Sequence, residues 1–141
     1  MHPPGETLSS PALQLSLASN LGEVRTVAAA LRTFLFQQGC TEPEVMDCEL
    51  ALVEACNNAI QYATGAKTPR IEVEVSCSPK EIKLSVVDHT SGFDWPEQAK
   101  LPPPESERGR GLFLIQAVMS STQYTRSPSG NTLTLAKIRA R

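Results

Sequence analysis

The sequence predicts a single α/β domain, and three observations carry that prediction. Segments in which apolar and polar residues alternate, the period of a half-buried strand, stand beside segments whose apolar residues recur at helical spacing. The two kinds follow one another in the order strand, two helices, two strands, loop, helix, two strands. At 141 residues and 40% hydrophobic content, the chain is long enough for one core and too short for two comfortable ones.

Residues 1–11, with Pro3, Pro4, Pro11 and little hydrophobicity, read as a flexible leader, which leaves 12–141 as the domain. Leu13, Leu15 and Leu17 alternate with Gln14, Ser16 and Ala18 and predict a first strand. Asn20 is a ready N-cap for a helix over 21–38, in which Val24, Val27, Ala28, Leu31 and Leu35 fall on one face and Gly39 supplies the stop. Thr41, Pro43 and Glu44 supply an N-cap, a first-turn proline and an acidic residue near the positive end of a second helix, over about 43–62. Gly65 and Pro69 end it.

Ile71, Val73 and Val75, then Ile82, Leu84 and Val86 across Ser78-Pro79-Lys80, predict a hairpin. The segment 96–107, rich in proline and charge, has no period and reads as a mobile surface loop, within a lid expected over about 94–108. Arg108-Gly109-Arg110-Gly111 opens an apolar helix from Leu112 to about Met119. Tyr124 and the segment 132–138 form a closing pair of strands around Ser127-Pro-Ser-Gly130-Asn131.

A net charge of −2 gives no overall basic field, which argues against nucleic acid or an anionic membrane as a partner held by general attraction. No stretch reaches the roughly 18 apolar residues of a membrane span, and the N-terminus lacks the regions of a secretion signal. Cys40, Cys48, Cys56 and Cys77 show no CxxC pairing and read as free thiols of a reducing compartment, so the expected location is cytoplasmic. His2 and His89 are too isolated for a histidine-based metal site. A Walker A loop, a GxSxG elbow and an HExxH pair are all absent. The basic tail of Lys137, Arg139 and Arg141 reads as a solvated end.

Chemistry concentrates in three places. Glu54 and Asn58 lie four apart on an otherwise apolar helix and share a face. Two readings fit that pair: an interior cap or salt bridge, or a site in which Glu54 takes a proton and Asn58 offers its oxygen to a hard cation such as Mg²⁺. Asp88 ends a strand beside the turn containing Gly92, which is either a turn start or a ligand-binding group. The glycines and arginines of 108–111 stand at a helix start, where backbone N–H groups and the helix dipole favour an anion.

In this order and placement, Glu54-x-x-x-Asn58, Asp88 with Gly92-Phe93, and Arg108-Gly109-Arg110-Gly111-Leu112 resemble the N, G1 and G2 boxes of the GHKL ATP-binding fold. The short chain is similar to the anti-sigma factor serine kinases of the RsbW and SpoIIAB type, over roughly residues 12–138. The resemblance implies a two-layer α/β sandwich with helices on one face of a mixed, mostly antiparallel sheet. It implies ATP and Mg²⁺, with Asn58 as metal ligand, in preference to its neighbour Asn57, and Asp88 on the adenine amino group. Gly92 would admit the base, and Arg108, Gly109, Arg110, Gly111 and Leu112 would surround the phosphates. Glu54 would be the general base. The implied substrate is a serine of a STAS-domain anti-anti-sigma protein, the implied second partner is a sigma factor, and a homodimer would use the first strand and helix. One departure stands out: the family has Asp-x-Gly-x-Gly where this chain has Asp88-His-Thr90-Ser-Gly92. Thr90 cannot adopt a positive φ cheaply, and it supports an alternative in which the fold acts by protein sequestration alone.

Overall fold

Strands that alternate apolar and polar residues have one face that water solvates well and one that must be covered, and amphipathic helices are the natural cover. The computed structural model describes residues 11–18, 20–61, 70–89 and 110–140. Along them run β1 (Ala12–Ala18), α1 (Leu21–Gln37), α2 (Glu42–Gln61), β2 (Arg70–Cys77), β3 (Glu81–Asp88), α3 (Arg110–Val118), β4 (Ser121–Ser127) and β5 (Gly130–Ile138). This is the element order that the periodicity predicts, with α3 beginning at Arg110 rather than Leu112. The expected leader, apart from Pro11, and the expected lid fall outside the described residues.

The strands form one five-stranded sheet in the order β1-β2-β3-β5-β4. Every described pairing is antiparallel, so the mixed sheet of the family pattern is antiparallel throughout these residues. Short turns make β2–β3 and β4–β5 hairpins, which can pair in no other sense. Register sets the two faces: Val75 pairs with Leu84, and Leu84 with Leu135. These residues are buried in one core with Leu31 and Leu35 of α1, Val45 and Leu52 of α2, and Ile115 of α3. Glu72, Glu74 and Lys83 lie exposed on the opposite face. Burying Leu31 or Leu84, each at 0% exposure, contributes about 2 kcal/mol per side chain.

The helix ends follow local chemistry. The Asn20 side chain accepts from Glu23 N at 3.1 Å and caps α1, while Gly39, at φ 77, ends it in the left-handed region. Thr41 and Glu44 form a capping box at α2: Thr41 N donates to Glu44 Oε1 at 2.8 Å, and Glu44 N donates to Thr41 Oγ1 at 3.3 Å. The other Glu44 oxygen accepts from Ala140 N at 2.7 Å, which ties the end of the chain to the start of α2.

The basic tail is not the solvated end that its charge predicts. Lys137 Nζ reaches Asp47 Oδ2 at 2.8 Å and the Val118 carbonyl at 2.7 Å. Arg139 donates to the Ser78 and Gln38 carbonyls at 2.9 and 3.4 Å and lies 3.8 Å from Glu44 Oε1. Lys137 near the end of β5 and Arg139 just beyond it are both drawn into the molecule, so their charges are absorbed by neighbouring elements. Arg141 lies outside the described residues. Among the described residues, no helix is long and apolar enough to cross a membrane.

Candidate functional site

Glu54 and Asn58 occupy the C-terminal half of α2, where Ala51, Leu52, Ala55, Cys56 and Ala59 are buried and the two polar residues are half-buried. Glu54 turns toward α3. A β-carbon placed on Gly111 would stand 2.7 Å from Glu54 Oε2, closer than any real contact allows. Glycine at 111 therefore lets the carboxylate lie against the first turn of α3, where the helix dipole favours negative charge. Neither Glu54 nor Asn58 has a hydrogen-bond partner among the described residues, so the interior cap or salt bridge that would make them structural is not found there.

Asp88 ends β3 at 8% exposure, and Asn131, at 2% and second in the neighbouring β5, lies directly opposite. Asn131 Nδ2 donates to Asp88 Oδ1 at 2.9 Å, which holds the carboxylate in a fixed plane. Gly130, at φ 148, makes this close pairing possible, since a β-carbon there would approach the Asp88 carbonyl to 3.1 Å.

This pair and the α2 residues share one end of the molecule. From Asp47, bonded to Lys137, to Asn58, α2 advances about 16 Å at 1.5 Å per residue. From Lys137 back to Asn131, β5 advances about 20 Å. Asn131 is the residue that sequence reasoning missed. The sequence places it in the turn around Gly130, yet it continues the inward alternation of Leu133 and Leu135, and a polar residue on a buried strand face is the available signal.

Of the other expected site residues, Arg110 is exposed at the start of α3, and Gly111 and Leu112 are half-buried behind it. Gly92, Arg108 and Gly109 lie outside the described residues, as does Thr90. The structure thus brings Glu54 to Gly111 and Asp88 to Asn131. Burial pushes the Cys56 thiol, on the same helix as Glu54, up to about 12, which removes it as a nucleophile at neutral pH.

Among the described residues, no group of three His, Cys, Asp or Glu could hold a metal alone. The Asn58 amide oxygen instead suits Mg²⁺, which takes one or two protein oxygens and completes its shell with phosphate and water. A separate concavity of about 620 Å³ lies between α1 and α2, with Leu21, Val24, Ala28, Met46, Leu50 and Val53 in its lining. Leu21 and Met46 are 64% and 61% exposed.

Residues 17–137 match the histidine kinase-like ATPase domain. The serine-protein kinase RsbW of Bacillus licheniformis is 31% identical over 111 residues, covering 72% of this chain and 69% of the relative. RsbW of Bacillus velezensis is 26% identical over 135 residues, covering 89% and 84%. Among solved structures, the RsbU and RsbW domains of a Mycobacterium tuberculosis protein align with TM-score 0.70 and 23% identity, over 94% of this chain and 34% of that one. A chain of the SiaB–SiaC complex of Pseudomonas aeruginosa aligns with TM-score 0.61 and 17% identity, over 89% of each. The two structural likenesses bear on the fold alone.

Proposed function

The chain belongs to the histidine kinase-like ATPase domain family, in its RsbW serine-protein kinase branch, and from that premise we propose that it phosphorylates a serine of a STAS-domain anti-anti-sigma protein with ATP. In the same proposal the chain sequesters a sigma factor. The observation that carries the reading is the Glu54 carboxylate lying against the first turn of α3, over a residue that has no side chain. A base beside an anion-favouring helix start is what phosphoryl transfer to a hydroxyl requires.

In this mechanism Glu54 accepts the proton of the serine hydroxyl as that oxygen attacks the γ-phosphorus, and the bond to the bridging oxygen breaks to release ADP. Backbone N–H groups at Gly109, Gly111 and Leu112 hold phosphate oxygens, with Arg108 and Arg110 adding positive charge. Asp88, steadied by Asn131, accepts from the adenine amino group, and Gly92 admits the base. Asn58 would hold Mg²⁺ through its side-chain oxygen. The metal, when bound, neutralises charge on the phosphates.

Partner switching then follows from linkage. The unphosphorylated STAS protein and the sigma factor compete for the kinase, and phosphorylation weakens the first and frees the kinase for the second. A homodimer through β1 and α1 suits the edge position of β1 in the sheet. Thr90, standing where the family has glycine, favours a second reading in which the fold sequesters its partner without transferring phosphate.

The test is transfer of labelled γ-phosphate from Mg·ATP to the STAS protein encoded nearest this gene, comparing wild type, Glu54→Ala and Asn58→Ala. Label that disappears in Glu54→Ala while nucleotide still binds is the expected result. Asn58→Ala should weaken the metal-dependent part of binding. Clear ATP and partner binding with no label in the wild type would select the sequestration reading. Equal loss of nucleotide binding in both variants would overturn the division of roles.

A further inference from the structure

At the end of the sheet remote from Asp88 and Asn131, two cysteines meet. Cys40 follows Gly39 in the link between α1 and α2, and Cys77 is the last residue of β2; they are 37 positions apart, and their sulfurs lie 3.7 Å from each other. Both are free thiols, at 6% and 3% exposure. Arg139 Nη1 donates to Cys77 Sγ at 3.4 Å, so a fixed positive charge stands beside one sulfur of the pair. Cys48 and Cys56 differ: both are at 0% exposure on α2, and neither has a sulfur within hydrogen-bond reach among the described residues.

We propose that Cys40 and Cys77 are a redox-active pair that closes to an intramolecular disulfide when a peroxide reaches it. The Cys77 sulfur attacks one peroxide oxygen, the O–O bond breaks, and the thiol proton leaves with the departing oxygen as water. The Cys40 sulfur then displaces the remaining oxygen from the Cys77 sulfenic acid as a second water. Two thiols lose two electrons and two protons, and one peroxide becomes two waters. Cys77 begins because the Arg139 cation favours the negative charge that gathers on an attacking sulfur. Burial, then Cys77 itself, pushes the Cys40 thiol up to about 12, so Cys40 is the poorer first nucleophile and reacts second. To form the bond, sulfurs at 3.7 Å close to about 2.05 Å.

The crosslink would fasten the start of α2 to the end of β2, far from Glu54 and Asp88. Its effect is therefore on stability, through the loop that it closes in the unfolded chain, and not on nucleotide binding. The inference is independent of the kinase reading.

The experiment treats the purified full chain with hydrogen peroxide, then alkylates all accessible thiols under denaturing conditions and maps the peptides. The expected result is a monomer that has lost two hydrogens, with Cys48 and Cys56 alkylated and the Cys40 and Cys77 peptides joined. Melting should move upward by several degrees and return with a thiol reductant. Cys40→Ser should abolish the joined peptide, and Cys56→Ala should keep it. Should Cys40→Ser fail to fold, the wild-type peptide map decides alone. Four alkylated thiols after peroxide, a bond to Cys48 or Cys56, or a bond between molecules would each overturn the proposal.

Discussion

At the end of the sheet that carries Cys77 and Arg139, polar atoms bond one another. Glu44 is satisfied by Thr41 and Ala140, and Arg139 by Ser78, Gln38 and Glu44. At the opposite end Glu54 and Asn58 sit half-buried, with no hydrogen-bond partner among the described residues, and glycine stands where a side chain would crowd Glu54. The same fold therefore uses buried charge in two ways. One end closes its network and gains a defined geometry; the other leaves a carboxylate and an amide that the proposed function assigns to phosphotransfer and metal binding, at some cost in stability. A polar residue on a buried face is functional or structural according to whether the tertiary structure satisfies it.

Substitutions at the two ends should separate activity from stability. The largest expected effect is Glu54→Ala, which should reduce phosphotransfer by about 10²–10⁴-fold while nucleotide affinity stays within about threefold, read by single-turnover transfer and calorimetry. Gly111→Ala comes next. Its methyl group would meet Glu54 Oε2 at 2.7 Å, and the displaced carboxylate should cost about 10²-fold in transfer with the melting temperature little changed. A Gly111→Ala enzyme with full activity would break the claim that this contact places the base.

Arg139→Ala should do the reverse. It leaves Glu44, at 4% exposure, without its nearest cation, and should lower unfolding free energy by about 2–3 kcal/mol with nucleotide affinity unchanged, as measured by urea titration. Asn131→Ala falls between the two classes, because its donor is buried but its acceptor is Asp88. It should cost about 1–2 kcal/mol of stability and also weaken nucleotide binding. Lost stability with unaltered binding would assign Asn131 to structure alone.

The smallest effect concerns pH. Burial alone would raise the Glu44 carboxyl, but hydrogen bonds from Thr41 and Ala140, with Arg139 nearby, outweigh it and hold the group below its ordinary 4.5. A carboxyl lowered in the folded state adds stability above the ordinary value and loses it as pH falls through the folded one. Wild type should therefore lose stability on acidification below about pH 4.5 more steeply than Glu44→Gln, as acid titrations of the two proteins would show.

Much of the fold was legible because period reports burial. Leu13, Leu15 and Leu17, and Ile71 through Val86, alternate as half-buried strands must, and the caps at Asn20, Thr41 and Gly39 mark their helices. β4 was harder to see. In Ser121–Ser127, Tyr124 is the one large hydrophobe; Thr122 is the other half-buried residue of this edge strand, and Arg126, next in the same alternation, is exposed. The roles of Lys137 and Arg139 could not be read locally, since their partners lie as far as 101 residues away.

The same division holds at the candidate site. The sequence by itself determined that Glu54 and Asn58 share a helical face, that Asp88 ends a strand and that glycines open a helix, since each follows from dihedral geometry over a few residues. Only the tertiary structure decided that Glu54 meets Gly111, that Asn131 bonds Asp88, and that Cys40 meets Cys77. Those contacts depend on how α2 packs on α3 and on how strands register, and both are set by the shape of the shared core rather than by the neighbours of any one residue.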